Sequence, residues 1–187
     1  MVLYQTVEDR NNPDYIETNA PFLCDRKDSW LGVGYYFWDT FLENAHWWGR
    51  TVYKEKGYVV LMFACDFDAE KCFDLHGNLQ HLKSFKEITE EFKKQNLLAR
   101  RATVAMVIEL LKSKTDFGKK FEAIRVYGHY SQKSDTILKI FFSKNRLHKQ
   151  YLELTPAVQL CLFKKISLNL RDCKIVYPTR YISDYII

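Results

Sequence analysis

The segment at residues 30–48, WLGVGYYFWDTFLENAHWW, constrains the fold more than any other part of the chain. Residues 33–38 are apolar and aromatic between glycines and Asp39, which is the composition of a buried strand. Thr40 and Glu43 stand at capping-box spacing, and Phe41, Asn44/Ala45 and Trp48 recur with helical period up to Gly49. A helix is therefore expected directly after the strand, stopping at that glycine. In the strand, Tyr35 and Tyr36 point to opposite faces, and Gly32 and Gly34 let backbone approach a ligand closely. In the helix, Asn44 and Trp47 lie side by side and offer an amide next to a large flat ring. Such a surface suits a planar aromatic amide. Ordinary core aromatics fit the same pattern, and periodicity does not separate the two readings.

Length and composition set the frame around this segment. A chain of 187 residues with 47% hydrophobic and 16% aromatic residues, but only 7 Gly and 4 Pro, is a packed globule rather than a disordered or repetitive chain. It fits one domain over residues 1–187. The longest apolar run, residues 58–65, falls far short of the roughly 20 residues of a membrane-spanning helix. The first six residues, MVLYQT, lack the regions of a signal peptide and read as a first strand, so a cytoplasmic protein without membrane association is expected.

Five cysteines without a CxxC pair read as reduced, buried thiols. His76 and His81 have neither HxxxH spacing nor cysteine pairs nearby, and no structural metal is expected. The net charge of +5 permits phosphate-rich partners. Its basic clusters, Lys93-Lys94, Arg100-Arg101, Lys119-Lys120, residues 144–149 and Lys164-Lys165, equally fit solvated faces. No RRM, zinc-finger or helix-turn-helix motif accompanies them.

Along the rest of the chain, strands are expected at residues 2–6, 58–67, 123–127, 136–142, 158–163 and 174–177, and residues 72–75 end before a turn signal at His76-Gly77-Asn78. Helices are expected at residues 79–95 and 98–112, the second with Val104, Val107, Ile108 and Leu111 on one face. The polar stretch at residues 8–28 reads as irregular and placed to cover a site. Helices in the middle and strands clustered later indicate an α+β domain, expected as two small packed β-sheets flanked by helices.

Gly32-x-Gly34-x-Tyr36-Phe37 followed by Asn44-Ala45-x-Trp47 resembles the poly(ADP-ribose) polymerase and diphtheria-toxin type of ADP-ribosyltransferase. In that family GxGxYF precedes a small polar residue, Ala and a second aromatic. The flanking Trp30-Leu31, Asp39 and Trp48 are similar to a bacterial branch. Leu3-Tyr4-Gln5-Thr6 resembles its opening LYHGT strand, VVLMFACDFDAEKCFDL its apolar strand ending in CLDL, residues 121–125 its later VR strand and VQLCL its terminal QICV strand, so the likeness spans residues 2–163.

The resemblance implies an ADP-ribosyltransferase-like fold that uses NAD as co-substrate without metal. Tyr36 and Trp47 would sandwich the nicotinamide ring, with Gly34 giving close approach, and Asn44, where the family commonly has Ser, would bond the carboxamide. Gln5 stands where the family usually has His, and can donate or accept at a ribose hydroxyl without changing charge near neutral pH. Thr6 follows it near the carboxamide. Gln159 aligns with the Glu that many members place at the start of the last strand, and Glu153, expected on a loop, is its substitute. A carboxylate there stabilises the developing oxocarbenium ion, and its loss typically costs about 100- to 1,000-fold in rate. Single ADP-ribose transfer to a macromolecular acceptor, nucleic acid such as RNA or DNA, or protein, is the expected activity. The small bacterial relatives imply an intracellular toxin of a toxin–antitoxin or phage-defence module, with an antitoxin as partner. A binding module that holds NAD, ADP-ribose or a partner protein without transfer is the alternative.

Overall fold

The computed structural model describes residues 1–128, 138–144 and 150–182. Strand β1 (Val2–Glu8) runs through the middle of the molecule and is followed by helix α1 (Pro13–Asn19). That helix lies inside the stretch expected to be irregular. Pro13 opens it, where a missing N–H costs nothing, and Ile16 is the residue it buries. Strand β2 (Tyr35–Asp39) and helix α2 (Leu42–Val52) form the expected strand–helix unit, with two differences. The capping box is not formed: Phe41 is the N-cap without a side-chain bond, and Thr40 adopts φ 62° with its hydroxyl donating to Asp39 Oδ1 at 2.7 Å. Gly49 does not stop the helix. A Cβ there would lie 2.3 Å from the Tyr58 ring, so glycine serves the packing of α2 on its neighbouring strand.

Strand β3 (Tyr58–Ala64) ends three residues short of the expected 67, and strand β4 (Cys72–Asp74) precedes the turn signal at residues 76–78. Helix α3 (Leu79–Lys94) follows as expected, capped by Asn78, whose side chain accepts from Gln80 and His81 N–H. Helix α4 (Val104–Lys114) starts later than its apolar pattern suggests, because Thr103 caps it by accepting from Met106 N–H. Val104 is thereby left exposed, while Val107, Ile108 and Leu111 are buried. A short helix α5 (Phe117–Lys120) leads into strand β5 (Ala123–Tyr127). Strands β6 (Lys139–Phe141) and β7 (Tyr151–Glu153) make a separate antiparallel ribbon. Residues 136–137 of the expected strand lie outside the described residues. Strand β8 (Val158–Leu162) is buried along its whole length, and β9 (Arg171–Tyr177) is longer than its apolar part.

The fold is α+β, with one seven-stranded sheet in the order β4-β5-β8-β2-β1-β3-β9 where two small sheets were expected. Among the described strands, only the edge pair β4–β5 is parallel. The sheet is nevertheless joined narrowly at its centre. All seven residues of β1 pair with β3, but only Leu3 and Tyr4 pair with β2, opposite Asp39 and Trp38. Beyond Tyr4 no strand among the described residues lies against this side of β1, so two half-sheets share a short seam. One core, containing Leu3, Phe37, Leu61, Phe63 and Leu160, crosses the seam on one face. A second packs Ile124 and Cys161 under Val107, Ile108 and Leu111 of α4. Among the described residues no helix is long and apolar enough to cross a membrane.

Candidate functional site

The opening of the seam creates a cleft of about 470 Å³. Gln5 and Thr6 line one wall, Tyr36 and Trp38 the other, Gln159 joins from β8, Trp48 and Tyr53 close one end, and residues 22–26 and 28–30 cover it. From the stretch at residues 8–28, expected to be irregular and to cover a site, residues 22–26 and 28 border this cleft.

Covering segment and walls are tied together by side chains that the sequence marks as candidates. The Gln5 carboxamide accepts from Phe22 N–H at 2.7 Å and donates to Phe22 C=O at 3.0 Å and Tyr36 C=O at 3.3 Å. It therefore bridges β1, β2 and the covering segment where strand pairing has stopped. Thr6 donates to the carbonyl of Ala45 at 2.9 Å and fixes α2 over β1. Cys24 and Gly34 exchange backbone bonds of 2.9 and 3.1 Å, which seats the segment on the start of β2. The Tyr36 hydroxyl accepts from Leu31 N–H at 2.8 Å and donates to Gly32 C=O at 2.7 Å. Burial pushes this phenol above its ordinary value of 10.0, so it stays protonated and able to donate.

Gln159 differs from these groups. Its side chain is buried at 6% exposure, borders the cleft, and its Oε1 has no hydrogen-bond partner. Buried polar atoms are normally satisfied, and an orphan costs about 1–3 kcal/mol. A donor brought by a ligand would remove that cost.

The remaining candidates face elsewhere. Asn44 donates from Nδ2 to the Pro156 carbonyl at 3.0 Å, tying α2 to the approach of β8. Trp47 packs edge-on against Trp38 with centroids 6.3 Å apart, and the neighbouring Trp48 is the tryptophan of α2 that lines the cleft. Gly34 serves strand packing, since a Cβ there would lie 2.3 Å from Cys161 Sγ and 2.8 Å from the Leu162 carbonyl. Glu153 is not on a loop. It ends β7 opposite Lys139, and its carboxylate accepts a short hydrogen bond from the Tyr127 hydroxyl. It is not among the residues lining the cleft.

Three features of the site escaped the sequence. Arg26 is the one cationic side chain among the described lining residues, in a turn closed by Ser29 N–H bonding the Arg26 carbonyl at 3.1 Å. It forms a two-pronged pair with Asp28 at 2.9 and 2.8 Å, which holds the Asp28 carboxyl below its usual range. A second cavity of about 400 Å³ shares Asp28, Ser29 and Trp30 with the cleft and continues past Lys27 to Tyr127. Behind the site, Arg125 joins the ends of β2 and β4 by bonding Asp39 at 2.7 Å and Asp74 at 3.1 Å, all three side chains largely buried. The turn signal His76-Gly77 was readable, and it is where Asp74 Oδ1 accepts two backbone N–H groups.

The five thiols are free, with Cys65, Cys72 and Cys161 buried and Cys24 and Cys173 half-buried. Burial pushes Cys161 up to about 12, which leaves an inert core residue rather than a nucleophile. Comparison of the chain with protein-family models, with curated proteins and with solved structures gave no match.

Proposed function

We propose that the cleft binds the nicotinamide end of NAD in the manner of an ADP-ribosyltransferase-like fold, and that the chain transfers a single ADP-ribose to a macromolecular nucleophile. The observation that carries this reading is the unpartnered Gln159 Oε1, buried in a cleft walled by Tyr36, Trp38 and Trp48 at a break in a sheet. A flat ring bearing a carboxamide matches aromatic walls, and the ribose attached to it carries hydroxyl donors of the kind the orphan acceptor lacks. Asn44 and Thr6 hold α2 in register on this wall, and Gln5 and Tyr36 hold the covering segment closed.

In the transfer, the bond between ribose C1′ and the nicotinamide nitrogen breaks with its electron pair going to nicotinamide, which leaves neutral. The acceptor's nucleophile bonds to C1′ and gives up its proton. The chain contributes positioning and exclusion of water by the covering segment, and a neutral amide at Gln159. Nucleic acid fits the net positive charge as acceptor. A role as an intracellular toxin with an antitoxin partner belongs to the same reading.

Calorimetric titration of the purified chain with NAD and nicotinamide tests binding, and Gln159→Leu tests the orphan acceptor. The expected result is NAD affinity reduced about 5- to 150-fold by the loss of one buried acceptor worth about 1–3 kcal/mol. No NAD binding by the parent chain refutes the proposal. Labelled NAD incubated with lysate, followed by nuclease or protease, identifies the acceptor.

A module that holds NAD or ADP-ribose without transfer is favoured by one observation. Glu153, the carboxylate that would assist the ribose, is held by Tyr127 and is absent from the cleft lining. Binding without release of nicotinamide in lysate is its signature.

A further inference from the structure

We infer that Arg26 is the phosphate anchor of this site, exchanging its bond to Asp28 for the diphosphate of the bound nucleotide. The inference rests on the nicotinamide-nucleotide reading of the cleft and adds a residue to it that no motif marks.

A dinucleotide carries two adjacent negative charges between its two nucleosides, and a site for it needs a cation between two separate cavities. The chain provides that arrangement. The cleft and the second cavity share the wall Asp28-Ser29-Trp30, and Arg26 lines the first just before this wall while Lys27 lines the second. Both cations sit in the same turn, so a ligand crossing from one cavity to the other passes them in succession. The Arg26 guanidinium also lies 5.9 Å from the centroid of Trp48, whose face keeps the side chain on the cleft side.

The existing partner of Arg26 is well suited to be displaced. Asp28 and Arg26 have side-chain exposures of 69% and 51%, and exposed pairs of this kind contribute little to stability. The planar fork that grips Asp28 through Nε and Nη2 matches two phosphate oxygens equally well. A diphosphate brings about twice the charge of one carboxylate and leaves Asp28 free to hydrate. Asp28 thus acts as a stand-in anion that keeps the guanidinium extended and ready. Asp25 and Asp28 otherwise make this rim acidic, so without Arg26 the rim would repel the ligand.

The test measures affinities of ADP-ribose, which has the diphosphate, and of nicotinamide, which does not, for the parent chain, Arg26→Gln and Asp28→Asn. Arg26→Gln is expected to weaken ADP-ribose at least tenfold, flatten its dependence on salt, and leave nicotinamide within twofold. Asp28→Asn is expected to tighten ADP-ribose, because the competitor is gone. Unchanged ADP-ribose affinity in Arg26→Gln overturns the inference, as does an equal loss for both ligands, which would make Arg26 a shaper of the cleft. A parent chain that binds nicotinamide but not ADP-ribose overturns this inference alone, whereas one that binds neither overturns the reading of the cleft as well.

Discussion

Gln5 offers the sharpest separation between a residue that touches ligand and one that shapes the site. Its carboxamide makes three hydrogen bonds, two to Phe22 and one to Tyr36, and its side chain is 5% exposed. In Gln5→Leu the side-chain volume is nearly kept, but Phe22 N–H and two carbonyls lose their partner. A net bond is worth about 0.5–1.5 kcal/mol, and a buried donor left unpaired adds to this. The contacts are only part-buried, so water can reach some of the released groups, and a loss of about 2–4 kcal/mol of folding stability is expected. Urea unfolding with far-UV detection reads this loss. Amide hydrogen exchange should show residues 22–30 opening faster, with β3 and β8 protected as before. Gln5→Glu keeps the acceptor for Phe22 N–H but turns a charged oxygen on the carbonyls of Phe22 and Tyr36. At neutral pH it should therefore lose at least as much stability as Gln5→Leu, and recover part of it as pH falls and the carboxyl is protonated. If Gln5→Leu changes stability by less than about 0.5 kcal/mol and exchange stays the same while nicotinamide affinity collapses, the clamp is refuted and Gln5 is a direct ligand contact.

Arg125→Met would leave Asp39 and Asp74 facing each other without their shared cation, and about 3–5 kcal/mol of stability should be lost in urea unfolding. An Asp39→Asn, Asp74→Asn background should recover part of it. His81 accepts from Asp74 N–H through Nδ1 while stacked on Phe73, and burial lowers its pKa below the ordinary 6.5, so the fold holds it neutral. Because the unfolded chain takes up this proton at higher pH than the fold does, His81 should lower stability as pH falls below about 6.5. Denaturation midpoints between pH 7 and 5 should drop less steeply in His81→Gln. Gln159→Glu places a carboxylate beside the proposed position of the bound ribose, and nicotinamide release should rise by about tenfold or more if the cleft is an enzyme's. Unchanged release with retained NAD binding would favour the module that binds without transfer.

What the sequence reveals of this fold, and what it hides, follows from how far each determinant reaches along the chain. The strand at Tyr35–Asp39, the helix at Leu79–Lys94 and the strand at Ala123–Tyr127 were legible because alternation and helical period are local. Gly49 was misread because its reason is Tyr58, which meets it only when α2 packs on β3. The single sheet with a narrow seam was hidden for the same reason, since it depends on where β1 stops pairing with β2. At the site the decisive quantity is helical phase. Trp47 and Trp48 are neighbours in sequence but about 100° apart around α2, and although both rings pack on Trp38, with centroids 6.3 and 6.1 Å away, Trp48 is the one that lines the cleft. A motif supplies residue types at a spacing, and it cannot by itself supply that angle. Gln5 and Gln159 make the same point with identical side chains: one has its amide engaged by three backbone groups, and the other leaves Oε1 unpartnered. The unspent acceptor is therefore why the proposed ligand contact is put on β8, whereas the bonds of Gln5 and Thr6 on β1 tie Phe22, Tyr36 and α2 together.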